Sequence, residues 1–109
     1  MGEMLYTESI RGYPYRPKQA LAEEFGISVG TVHNRLKGLE KEIQEGRYNN
    51  YALIRDGGLV LVNVLAFIDY LTYHQMLEDK NARKHTPPFK PDDIVRMIGW
   101  NNRIIREGD

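Results

Sequence analysis

Apolar residues return at helical spacing as soon as the chain passes Pro17, with Leu21, Ala22 and Phe25 forming one stripe before Gly26. Proline suits the first turn of a helix, and glycine offers the left-handed stop at its end. A short helix is therefore expected between them. Ser28 is placed to cap a second, longer helix in which Val32, Leu36, Leu39 and Ile43 share one narrow face. Gly46 closes it. Two β-rich runs, 51–55 and 59–62, then flank Asp56-Gly57-Gly58. An Asp-Gly step between such runs is a strong hairpin signal, because a tight turn needs positive φ.

Asn63 caps the next expected helix, 64–79, which is apolar on nearly every side. Val64, Leu65, Ile68 and Leu71 make one face, and Phe67, Tyr70, Tyr73 and Leu77 occupy much of the other. Such a helix is buried on more than one side. That burial is met either inside a small core or by a homodimer formed through Phe67, Tyr70, Tyr73 and Leu77. Residues 80–91 hold Lys80, Arg83, Lys84 and Lys90, no acid, and three prolines, and read as a basic extended linker. Its cations offer phosphate contacts or a solvated connection. Asp92 is placed to cap a last short helix with Ile94, Val95, Ile98, Ile104 and Ile105, interrupted by Gly99. Residues 1–16, with three tyrosines and Pro14, form an arm ahead of a domain spanning 17–79.

The chain has 109 residues, room for one modest domain. No cysteine is present, which removes disulfides, thiolate metal sites and cysteine nucleophiles and fits a reducing, cytoplasmic setting. Neither a signal peptide nor a membrane anchor is expected. His33, His74 and His85 lack metal-ligand spacing, and there is no phosphate loop, nucleophile elbow or catalytic carboxylate pair. An enzyme, a metal and a cofactor are therefore not expected.

The informative stretch is 18–39, KQALAEEFGISVGTVHNRLKGL. Two helices meeting at a sharp angle need a small residue at the contact, a residue tolerant of unusual φ between them, and apolar residues locking them together. Ala22, Gly26 and the set Leu21, Phe25, Ile27 and Val32 supply these, which is helix-turn-helix spacing. At about 100° per residue, the face opposite the buried stripe carries Gly30, Asn34, Lys37, Lys41 and Gln44, flanked by Thr31 and His33. No carboxylate interrupts its first three turns. The small residues allow a close approach to phosphate, and the amide and cations have donors for major-groove base edges. With the hairpin included, the expected fold is mainly α with a small β-hairpin wing, a winged helix-turn-helix. The expected duplex-DNA contacts are Ser28, Gly30, Thr31, His33, Asn34, Arg35, Lys37 and Lys41 on the helix and Arg55 on the wing, with Asp56 beside it. Arg35 stands where helix-turn-helix proteins often bury an apolar residue. The competing reading is a solvated helix face in a protein-interaction module of a replication or phage assembly.

The stretch GISVGTVHNRLKGLEKEI resembles the recognition segment of GntR-type winged-helix regulators. The hairpin YALIRDGGLVLV followed directly by the helix NVLAFIDYL resembles phage and transposon excisionases, which are related to MerR-type winged helices. Together these cover residues 18 to 79. The resemblance implies an accessory or regulatory factor of a mobile element that binds repeated DNA sites, bends them and directs a recombinase towards excision. A transcription repressor of the same fold would use the same helix face. Lys+Arg and Asp+Glu are 15 each, so the net charge is zero and the placement of the charges decides more than their sum.

Overall fold

The computed structural model describes residues 14–98, and the first corner of their fold is set by Gly26 at φ 68°. Helix α1 (Lys18–Phe25) stops there because the Gly26 N–H donates to the Glu23 carbonyl and the Ile27 N–H to the Ala22 carbonyl. The left-handed residue thus satisfies carbonyls that the helix end leaves open. Ser28 then starts α2 (Val29–Gln44), its Oγ accepting from the Thr31 N–H at 3.0 Å. Val32, Leu36 and Leu39 are buried and Ile43 packs against the core, as the stripe predicts.

Strands β2 (Leu53–Asp56) and β3 (Leu59–Asn63) form the expected hairpin. Of its two turn glycines only Gly57 has positive φ, 59°, the arrangement of a II′ turn. The first strand begins later than the pattern predicts. Asn50–Ala52 is a 3₁₀ turn, because the Asn49 side chain accepts from the Tyr51 N–H at 2.9 Å. A local side-chain bond here competes with the strand ladder.

A third strand was not expected. Residues Tyr15–Pro17 form β1, which pairs antiparallel with β3 in the register Tyr15 to Asn63 and Pro17 to Leu61, giving the order β1-β3-β2. The end of the expected arm therefore belongs to the domain. Residues 1–13 lie outside the described part. Pro17 is tolerated because β1 is an edge strand and needs no donor on its free side. Next to it, the Val64 N–H donates to the Pro14 carbonyl at 2.7 Å.

Asn63 caps α3 (Val64–Glu78) by accepting from the Ala66 N–H at 3.0 Å. Phe67 is fully buried and meets Phe25 edge-on at 5.2 Å. Tyr70 and Leu77 are also buried and Tyr73 is half-buried, all in contact with the core of this one chain. Of the face named as a homodimer contact, Phe67, Tyr70 and Leu77 are covered by the chain's own elements, and Tyr73 stays partly open.

The basic segment is also more ordered than an extended linker. Asp79 accepts from the Asn81 and Ala82 N–H groups and caps a single helical turn, α4 (Lys80–Arg83). Further on, Phe89 packs edge-on against the buried Tyr48 at 5.0 Å. Helix α5 (Pro91–Ile98) begins at the proline, with Asp92 inside its first turn and Ile94 buried. Gly99, Ile104 and Ile105 lie outside the described residues. No helix among the described residues is long and apolar enough to cross a membrane.

One buried acid anchors the loop after α2 to α3. The Asp69 carboxylate, 3% exposed, accepts from Arg47 Nε at 2.8 Å, Arg47 Nη2 at 3.0 Å and the Tyr48 hydroxyl at 2.6 Å. Burying a carboxylate is tolerable only when its lone pairs are met in this way. Burial, reinforced by Asp69, holds the Tyr48 phenol well above the ordinary tyrosine range.

Candidate nucleic-acid interface

The face of α2 turned from the core carries the residues singled out in the sequence. Gly30, His33, Asn34, Lys37 and Lys41 are exposed, while Thr31 and Arg35 are half-buried at its margins. From Gly30 to Lys41 this face runs about 16 Å along the helix axis at 1.5 Å per residue. That length suits the floor of a major groove, which admits one α-helix.

Ser28 and Thr31 have a local role as well. Their hydroxyl oxygens lie 2.9 Å apart, and Ser28 Oγ is engaged as the helix cap. Either hydroxyl retains capacity for one more partner. Arg35, where an apolar residue was the common choice, lies at the α3 side of the helix. Its charge acts on Tyr70, whose phenol burial nevertheless holds above its usual range.

The acids of α2 are drawn aside by arginines from other elements. Glu42, 4% exposed, accepts from Arg83 Nη1 at 2.9 Å and Nη2 at 2.7 Å, and Arg83 Nη1 also donates to the Leu77 carbonyl. The hydrogen bond with Glu42 raises the Arg83 pKa and keeps that arginine charged. On the opposite flank, Glu40 Oε2 lies 3.4 Å from Arg55 Nη2. Among the described residues, Arg35, Lys37 and Lys41 form no salt bridge. Three cations of α2 thus remain available on or beside the exposed face.

Arg55 was expected on the wing, and it is exposed on β2 opposite Val60. Its partner is Glu40 and not the adjacent Asp56, because successive strand side chains point to opposite faces of the sheet. Arg83, read from the sequence as one more linker cation, is instead a structural partner of α2. Val29 and Leu59, given no site role by the sequence, are both exposed apolar side chains, one at the start of α2 and one on the hairpin. A break in polarity at the helix entry was the available signal.

No protein-family model, no curated protein and no solved structure matches the chain. Among the described residues no group of three metal-binding side chains comes together. The exposed lysines and amide of α2, which form no salt bridge among the described residues, set beside an arginine-bearing hairpin, are the chemistry this surface offers.

Proposed function

We propose that the chain is a winged helix-turn-helix protein that binds duplex DNA, with α2 in the major groove and the β2–β3 hairpin as its wing. The observation that carries this reading is the charge arrangement of α2. Asn34, Lys37 and Lys41 are exposed with no salt bridge among the described residues, while the nearby acids Glu40 and Glu42 are engaged by Arg55 and Arg83. Asn34 has the amide geometry for the paired donor and acceptor of an adenine edge, and Lys37 and Lys41 for phosphate or guanine. Ser28, Gly30, Thr31, His33 and Arg35 border the same face and complete the contact set. The three-stranded arrangement is compatible with this architecture, since β1 pins the start of the helix-turn-helix to the hairpin.

The narrower role is an excisionase-like accessory factor of a mobile element, working beside a recombinase. It is supported by the hairpin leading directly into a long buried helix, the layout that resembles excisionases. A zero net charge gives little non-specific phosphate attraction. Affinity then comes from base contacts, DNA shape or several copies on one site.

Selection of bound fragments from random duplex DNA tests the reading. Enrichment of a common motif at physiological salt is the expected result, and no enrichment at low salt rejects DNA binding. Bending of the selected fragment with several adjacent motifs favours the excision role; a single palindrome left straight favours a repressor.

A further inference from the structure

We infer that Arg55 exchanges partners when DNA binds, leaving Glu40 for a backbone phosphate, so that Glu40 limits the affinity of the interface. This rests on the duplex-DNA reading of α2 and adds a role for an acid on its flank. Glu40 and Arg55 face each other across a groove of about 300 Å³ between α2 and β2, lined also by Ile43, Gln44, Asn50 and Leu53. Their closest atoms are 3.4 Å apart, and their side chains are 47% and 52% exposed. Both ends are open to solvent, so the pair is weak and its geometry loose. Among the described residues the Arg55 guanidinium is the one charged partner of Glu40, and a phosphate can take the place of that carboxylate, with room for a bidentate contact that the present pair does not make.

The contrast with the other arginine on α2 locates the exchange here. Arg83 holds Glu42 by two short hydrogen bonds and a carbonyl by a third, and Glu42 is buried, so that pair has no room to open. Arg55 makes one long contact to an exposed acid at the edge of the proposed groove-reading face. Lys37 and Lys41, on the same helix, hold no acid and need no exchange. In the free protein Glu40 keeps Arg55 folded back onto α2. In the complex Arg55 reaches phosphate, and Glu40 is left without that cation.

The test is DNA binding by the full chain as a function of salt, for the wild type, Arg55→Ala, Glu40→Gln and the double variant, on one selected duplex. Exchange predicts that Arg55→Ala lowers the salt slope by about one. It predicts that Glu40→Gln tightens binding about two- to fivefold with the slope unchanged, the range expected for releasing one exposed pair. The gain from Glu40→Gln should be smaller in the Arg55→Ala background. A static pair gives the opposite pattern: Arg55→Ala leaves the slope alone, and Glu40→Gln raises it by about one. That pattern overturns the exchange while the DNA reading stands. Absence of binding by the wild type removes both. Thermal melts of all four proteins, expected to coincide within a few degrees, exclude unfolding as the cause.

Discussion

The Tyr70 hydroxyl occupies the space where a side chain on Gly38 would begin: a Cβ built there meets Tyr70 Oη at 1.7 Å and the ring carbon Cζ at 2.5 Å. Tyr70 is buried and cannot swing clear. This close approach of α2 and α3 needs glycine, although glycine in a helix interior costs about 1 kcal/mol relative to alanine. Gly38→Ala is expected to destabilise by about 1–3 kcal/mol, the range of overpacked cores. Adding Tyr70→Phe should recover only part, because the ring carbon still collides. Urea denaturation of the three variants gives the comparison, and a stabilised Gly38→Ala would contradict it.

Asp69→Asn should be among the most damaging single changes that preserve shape. It leaves the Arg47 guanidinium, itself 9% exposed, without its counter-charge. Removing one partner of a buried pair costs about 3–5 kcal/mol. Tyr48→Phe removes one hydrogen bond to the same carboxylate and should cost about 1–2 kcal/mol. Equal losses for the two variants in chemical denaturation would mean that the charge is not the dominant element.

Alkaline pH should loosen this cluster through Tyr48. Burial, then the hydrogen bond to Asp69, raises its phenol above the ordinary value of 10.0 in the folded chain. A raised folded-state pKa gives stability that is fully present below the unfolded value and is lost as pH rises beyond it. Stability should therefore fall above about pH 10, and Tyr48→Phe should flatten that fall. Melting temperatures between neutral and alkaline pH read this directly; identical slopes for both proteins would rule Tyr48 out.

The two arginines that engage α2 should differ in their effect on stability. Arg83→Ala leaves the buried Glu42 unpaired and detaches α4, with an expected cost of about 1–3 kcal/mol. Arg55→Ala disturbs only an exposed pair and should change stability by less than about 0.5 kcal/mol. Comparable losses would refute the distinction drawn between them.

For DNA binding, Asn34→Ala is expected to weaken affinity for a selected site by about 1–3 kcal/mol and to relax the preference at one base position. Lys37→Ala should weaken all sequences alike and lower the salt slope by about one if it meets phosphate. Both side chains are exposed, so folding should be unaffected. Wild-type affinity in both variants would reject α2 as the reading helix.

The helix pair, its turn and the hairpin were legible because each depends on local chemistry: Gly26 and Gly57 adopt the positive φ their positions require, and Ser28 and Asn63 cap as their places predict. What stayed hidden depends on partners distant in sequence. The strand Tyr15–Pro17 is too short to show alternation and exists because β3 offers an edge. Likewise Arg83 reads as a linker cation until Glu42, 41 residues earlier, is seen beneath it. The exposure of α2 followed from periodicity, whereas the pairing of Glu40 with Arg55 needed the hairpin's position in space. The burial of Phe67, Tyr70 and Leu77 was visible as an apolar surplus, but not which elements would cover it.

The central place of β3 also bears on how the chain acquires its fold. Its partner β1 lies far upstream, with Tyr15 paired to Asn63, so everything between them is a loop that closes only when β3 exists. Contacts of such separation slow folding relative to helices that close locally. During synthesis the helix-turn-helix can form its own turns early, yet its leading edge stays unfastened until the strand after Gly58 has emerged. Closing the sheet therefore means docking the first described strand onto the last, and α3 starts at the point where that seam ends.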